Sequence, residues 1–388
     1  MEVKLKYFLY LGLIFLFVTT SCSTRIDEPI IFSDDVDDSD PVTTGTFFYG
    51  ADLSYANEME DCGAIYRNEN NEVKDVYEIF KNEGANLVRF RLWVDPSWTN
   101  YSTLTDVKKS IQRAKNAGFK VLLDFHYSDT WADPGSQEIP TAWLPQLNDI
   151  NALGQLLYDY TYNVLNELNT NGLLPNIVQV GNEINGNIVT QGNPFPIDWT
   201  RNSTLLNKGI QAVRDLSNTF NADIEVMLHI AQPENGLWWF EQATQNGVTD
   251  FDWIGLSYYP EFSTYTLQNI EEPLSELINT HNKKLMIVET AYPYTLDNAD
   301  SANNILGSNS LVSGFPATQQ GQLDFLNGLT SKVKLAGGLG VIYWEPAWVS
   351  TGCNTLWATG SHWDNATLFD SNGQPTRAMK FYNESSNN

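Results

Sequence analysis

Two glutamates in this chain stand where apolar runs break off into turns. In NIVQVGNEING, Asn176 to Gly186, the β-branched Ile177, Val178 and Val180 read as a buried strand, and Gly181, Asn185 and Gly186 as the turn after it. Asn182 and Glu183 then fall at the strand's C-terminal end. Further along, LMIVETAYP, Leu285 to Pro293, repeats the arrangement with Glu289. In parallel α/β proteins that rim is where ligands bind. Two carboxylates facing each other across it suit cleavage of a glycosidic bond with retention, which needs them about 5 to 5.5 Å apart, one as nucleophile and one as acid then base. Asn182, beside Glu183, is suited to hydrogen-bond a sugar hydroxyl next to the reacting carbon. A single Asn-Glu after a strand is equally a helix cap or a salt-bridge partner, so the elements around it must decide.

Those elements alternate regularly. Apolar runs at Phe47 to Ser54, Asn86 to Val94, Lys120 to Ser128, Ile177 onward, Ile224 to Ala231, Trp253 to Pro260, Lys284 to Pro293 and Gly340 to Trp348 read as strands. Helical patterns lie between them near Val73 to Glu83, Thr105 to Ala117, Ala152 to Thr170, Leu205 to Phe220, Gly236 to Gln245, Leu267 to Thr280 and Gln319 to Leu335, with part of an eighth at Thr376 to Asn383. Strands that are apolar throughout, with no glycine-rich phosphate loop, predict a (β/α)8 TIM barrel rather than an open doubly wound sheet. In a barrel the strand ends converge, so Asp52, Arg91, His126, Asn182, Glu183, His229, Tyr258, Glu289 and Trp344 are expected to ring one mouth. Strands four and seven face each other across it, which sets Glu183 against Glu289.

Composition narrows the ligand. A formal net charge of −25 opposes nucleic acid or any acidic polymer. The chain's 12 Trp and 18 Tyr offer flat faces with polar edges, which suit neutral sugar rings. The histidines show no metal-ligand spacing, and no nucleophile elbow or P-loop is present. At the N-terminus, Lys4 and Lys6 precede an apolar run from Tyr7 to Val18, the layout of an export signal. We read residues 1–22 as a signal peptide ending at a lipidated Cys22, 23–45 as a flexible acidic tether, and 46–385 as a single catalytic barrel. That predicts an exported cell-surface or outer-membrane lipoprotein, touching membrane only through the lipid, with secretion or a periplasmic place as the alternative; a monomer is expected. An oxidising context permits Cys62 and Cys353 to pair, since a closed barrel makes the loops carrying them neighbours; two buried thiols is the other outcome.

The stretches YGADLSYANEMEDCG, NLVRFRLWVDP, LLDFHYSDTWADPGSQ, QVGNEING, SYYP, VETAYPYT and YWEPAW with SHWDN together resemble the endo-β-1,4-galactanases of glycoside hydrolase family 53, from about Phe47 to Tyr382. The resemblance implies a retaining (β/α)8 enzyme with Glu183 as acid/base and Glu289 as nucleophile. Its expected substrate is β-1,4-galactan, as in type I arabinogalactan and pectin side chains. Position then suggests that Tyr258 holds Glu289 in place and that Arg91 keeps it ionised. Trp344 is expected as the floor under the reacting sugar, with Trp93, Trp131, Trp348 or Trp363 at further subsites. No cofactor is expected for catalysis. Some relatives of this kind carry a structural calcium between the loops after strands seven and eight. This chain supplies Asp297, Ser301, Asn303, Ser361 and Asp364 there, but Ala299 stands where an acidic ligand would help. Two other readings keep the same export and aromatics: a clan-related mannanase or xylanase, and a surface lipoprotein that binds glycan without cutting it.

Overall fold

A computed structural model describes residues 46–356 and 358–386. The expected signal peptide, the lipid site at Cys22 and the acidic tether lie outside the described residues. Eight parallel strands close into a barrel in sequence order: β1 (Phe48–Asp52), β2 (Leu87–Leu92), β3 (Lys120–Phe125), β4 (Ile177–Val180), β5 (Glu225–Ala231), β6 (Trp253–Ser257), β7 (Lys284–Thr290) and β8 (Gly340–Tyr343). Pairing of β1 with β8, Phe48 opposite Gly340, completes the ring. Around it lie α1 (Ala56–Asp61), α2 (Val76–Asn82), α3 (Leu104–Asn116), α4 (Ile150–Thr170), α5 (Trp199–Phe220), α6 (Pro233–Gln245), α7 (Glu271–His281) and α8 (Gln319–Leu335). Two corrections apply to the expected elements. The six-residue α1 is additional, and the final segment, Arg377–Ser386, is a 3-10 helix packed on α8 rather than an α-helix.

Five of the helices α1 to α8 start where the sequence offers a side-chain acceptor for a first-turn amide. Asp75, Thr103, Asp149, Asp198 and Thr318 each cap one, and Asp149 accepts from the Ala152 amide at 3.0 Å. Each strand contributes to two separate apolar layers. Residues such as Val88, Val121, Val178 and Ile254 face the helices and join the large outer core. Phe48, Leu87, Leu122, Ile177, Met227, Trp253, Met286 and Ile342, one from every strand, fill the barrel's interior as a distinct cluster. With that plug below, the inward positions two and four residues further along each strand form the floor and rim of a mouth.

The disulfide is formed: Cys62 pairs with Cys353, their Cα atoms 5.6 Å apart across 291 residues of sequence. It joins the end of α1, in the loop after β1, to the loop after β8, so it closes the seam between the chain's first and last strands.

Candidate active site

The inward alternation decides which polar groups meet. On β2, Leu87 lies in the interior plug, so Arg89 and Arg91 follow it on the inner face. On β3 the same step from Leu122 gives Asp124 and His126, on β4 from Ile177 Gln179, on β5 from Met227 His229, and on β6 from Trp253, past Gly255, Ser257 then Tyr259. The sequence reading named the rim residues and passed over the layer beneath them, Arg89, Asp124, Gln179 and Ser257. A two-residue step back from Arg91 and His126 was the signal that finds two of these, Arg89 and Asp124.

Arg89 is the hub of that layer. It is 1 % exposed and donates from Nη1 to Asp52 Oδ2 and Glu289 Oε1, both at 2.8 Å. From Nη2 it reaches Asp124 Oδ2 at 2.9 Å and Asn182 Oδ1 at 2.8 Å. Glu289 owes its inward position to an irregularity. Met286 and Val288 both point into the barrel, so strict alternation would turn Glu289 outward, but the register with β6 shifts between Leu256 and Ser257, and Glu289 comes opposite Ser257. Its Oε2 accepts from Tyr259 Oη at 3.3 Å.

Glu183 is placed differently. Its backbone takes φ +44°, a conformation that costs a non-glycine residue energy and persists here because surrounding groups hold it. Gln137 Nε2 donates to the carbonyls of Asn182 and Glu183 at 2.9 and 3.2 Å, and the Ile184 amide donates to the His229 carbonyl at 2.9 Å. Among the described residues the carboxylate accepts from Ser257 Oγ, 2.6 Å from Oε1. Burial pushes the Glu183 carboxyl up to about 7. Burial pushes Glu289 up as well; the Arg89 guanidinium pulls it down, while the charges of Glu183, Asp52 and Asp124 oppose ionisation. Of the two, Glu289 has a bonded guanidinium and Glu183 a hydroxyl, which favours the anion on Glu289 and the proton on Glu183.

Around them lies a cleft of about 590 Å³ lined by Asp52, Arg89, Arg91, His126, Asn182, Glu183 and Glu289, with Trp131, Tyr259, Phe262, Trp344, Trp348 and Trp363 among its aromatic walls. Trp344 is held by Trp363, whose ring lies 4.7 Å away and whose Nε1 donates to the Trp344 carbonyl at 3.1 Å. Trp93 is buried and does not reach the cleft; it packs beside Arg91. His126 lines the cleft with Nε2 3.1 Å from Asp124, while its Nδ1 accepts from the Ala132 amide.

Three expected positions need correction. Arg91 does line the cleft, but it pairs with Glu345 at 2.7 Å and lies against the rings of Tyr55 and Trp131, at 4.4 and 4.3 Å; the arginine on Glu289 is Arg89, one inward step deeper. Tyr258 turns outward and donates to the Tyr265 carbonyl at 3.1 Å, leaving Tyr259 as the tyrosine on Glu289. His229 is fully buried beneath Asn182 and out of reach of a ligand. Glu345, which the sequence reading left unnamed, is buried at φ +48° on the turn after β8.

Calcium at the residues suggested for it is not shown. Calcium takes six to eight oxygens, whereas Asp364 accepts from the Ala299 amide at 2.9 Å and Asn304 Nδ2 at 2.8 Å, and Ser361 Oγ donates to the Trp348 carbonyl. Among the described residues, no three His, Cys, Asp or Glu side chains gather as a metal site, with Asp297, Ser301 and Asn303 adding only one carboxylate. Asp300 instead ties the loops, accepting from the Ser361 amide at 2.8 Å and Ser350 Oγ at 2.6 Å.

A closed (β/α)8 barrel carrying two strand-end glutamates, Glu289 buried and Glu183 half-buried, in one aromatic-walled cleft has the form of a glycoside hydrolase. The Glycosyl hydrolase family 53 model matches residues 48–382, and the chain belongs to that family. It is 56 % identical over 328 residues to a Cellvibrio japonicus protein named arabinogalactan endo-β-1,4-galactanase, covering 84 % of this chain and 86 % of that one. Over 378 residues it is 35 % identical to the endo-β-1,4-galactanase of Bacillus subtilis, covering 87 % and 85 % of the two chains. The solved GH53 catalytic domain of Ignisphaera aggregans superposes with a TM-score of 0.79 at 32 % identity, over 87 % of this chain and 95 % of that one.

Proposed function

We propose that this chain hydrolyses internal β-1,4-galactosidic bonds of galactan and type I arabinogalactan with retention, releasing galacto-oligosaccharides, with Glu183 as acid/base and Glu289 as nucleophile. The observation that carries the roles is the unequal furnishing of the two carboxyls. Glu289 has a guanidinium and a phenol aimed at it, which favours the anion. Glu183 has the Ser257 hydroxyl and a pKa pushed up to about 7 by burial, which suits a proton donor.

With a galactosyl unit seated on Trp344, Glu183 gives its proton to the glycosidic oxygen as a Glu289 oxygen attacks the anomeric carbon. The bond to the leaving sugar breaks, and a galactosyl ester of Glu289 forms. Glu183, now ionised, takes a proton from water, whose oxygen attacks the same carbon and frees Glu289. Arg89 and Asn182 hold the floor on which this happens. The galactan specificity rests on the relatives, the two named above being galactanases. Export, a lipid on Cys22 and a monomeric state complete the reading. They rest on the sequence.

The test is product analysis on linear galactan followed by azide rescue. Wild type is expected to release short oligosaccharides from the interior of the polymer. With an activated aryl β-galactoside, azide is expected to restore turnover to Glu183→Ala and give the β-azide, because a small anion attacks the glycosyl ester without a base. Recovery of the β-azide from Glu289→Ala instead would reverse the assignment, and failure to cut galactan while cutting mannan or xylan would replace the substrate.

A further inference from the structure

Behind Glu183 lies a chain of buried polar groups that the two-carboxylate mechanism does not use. Ser257 Oγ sits between Glu183 Oε1 at 2.6 Å and His229 Nε2 at 2.8 Å. On the other side of the imidazole, His229 Nδ1 lies 2.9 Å from Asn182 Oδ1. Ser257 and His229 are both 0 % exposed. A serine has one hydrogen to give, so the state of its two neighbours dictates where that hydrogen points.

The imidazole's state follows from Asn182. Its amide orientation is fixed at both ends: Nδ2 donates to the Ala132 carbonyl at 2.8 Å, and Oδ1 accepts from Arg89 Nη2 at 2.8 Å. The group facing His229 Nδ1 is therefore an oxygen that only accepts, and it draws the imidazole proton to Nδ1. Two donors also lie near Nδ1. The Glu183 amide points its hydrogen at Nδ1 from 3.4 Å, the longest contact there, and Gln179 Nε2 at 3.1 Å has other acceptors for its two hydrogens, Asp124 Oδ1 at 2.6 Å and the Gly181 carbonyl at 3.2 Å. Burial, together with the nearby Arg89 and His126, holds the imidazole well below its usual range and so keeps it neutral. With the proton on Nδ1, Nε2 is a bare acceptor.

We propose that Ser257 is a two-position hydroxyl rotor that positions Glu183 in both halves of the reaction, with His229 as its fixed acceptor. When Glu183 in the free enzyme carries its proton on Oε1, it donates to Ser257 Oγ, and the serine turns its own hydrogen to His229 Nε2; a half-turn of the carboxyl group then presents the protonated oxygen to the glycosidic oxygen and leaves the other oxygen to the serine. When Glu183 is ionised, the hydroxyl rotates and donates to Oε1, a charge-assisted bond that outweighs the one to imidazole. No proton leaves or enters the serine or the histidine; the hydroxyl only turns. Neither residue touches substrate, so both are positioning residues, and the inference rests on the reading of Glu183 as acid and base. The charged groups facing Glu183 are Arg89 from β2, Asp124 from β3, Asp133 from the loop after it and Glu289 from β7.

Two measurements test it. In protein labelled with 15N-histidine, the four imidazoles assigned by substituting His126, His281 and His362 in turn, His229 is expected to carry its proton on Nδ1 both below and above pH 7. A proton on Nε2 would overturn the rotor, because Ser257 would then have no second acceptor. That spectrum reads the tautomer whether or not the chain cuts galactan, so this inference and the proposed function fail separately. In His229→Leu, only the protonated form of Glu183 loses support. The alkaline limb of kcat/KM is then expected to move to lower pH by about half a unit to one unit. An unmoved limb, or one moved to higher pH, contradicts the proposal, and a purely structural role for His229 would leave the limb in place.

Discussion

Tyr258 and Tyr259 differ by one position, and one of them faces a carboxylate while the other faces the outer core. Hydrogen bonds to charged groups contribute about 1.5–3 kcal/mol, so Tyr259→Phe is expected to lower kcat by roughly tenfold to a hundredfold. Tyr258→Phe loses only a bond to the Tyr265 carbonyl and should keep kcat. Steady-state kinetics on both variants decide it, and equal losses would contradict the inward register. The same scale sets the pH profile. In the proposed roles Glu183 is protonated to cleave, and burial raises it to about 7. As pH rises through that value kcat/KM should therefore fall, reaching about tenfold per unit beyond it. A profile flat through pH 8 would show that the acid's burial has been misjudged.

The strands explain why much of this was legible beforehand and part was not. Eight apolar runs with helical patterns between them specify the barrel, and turn residues mark where each strand ends, so Asp52, Asn182, Glu183, Glu289 and Trp344 were visible as rim positions. The inner layer was hidden because Arg89, Asp124, Gln179 and Ser257 sit within apolar runs, where composition gives no hint that a buried arginine will be matched by Asp52, Asp124 and Glu289. Glu289 itself faces inward only because the pairing of β6 with β7 slips, a feature no alternation rule reports. The turn after β4 carries a further constraint. Gly181 has φ +87°, and a Cβ there would meet Ile184 Cγ2 at 2.5 Å. Gly181→Ala is expected to cost about 1–3 kcal/mol in backbone strain. By displacing Asn182 and Glu183 it should lower kcat by more than roughly tenfold. Thermal melting and kcat measured together check this; a strained but fully active variant would show that the turn does not set the acid's position.

Across the whole molecule, closure of the barrel brings the first and last loops together, and the Cys62–Cys353 bond secures them across 291 residues. The chain-entropy view gives such a long loop as much as roughly 5 kcal/mol. The Cys62→Ser/Cys353→Ser double variant should therefore melt several degrees lower, and the unreduced parent without Cys22 should show no titratable thiol after unfolding. The barrel so closed holds two carboxyls in one cleft, one of them paired with Arg89, and retention through Glu289 is the central proposal. It is tested most directly by trapping. With a 2-fluoro-β-galactoside bearing an activated leaving group, intact mass is expected to rise by one fluorogalactosyl unit, and peptide mapping to place the ester on Glu289; an ester on Glu183, or no adduct together with products of inverted configuration, would contradict the account.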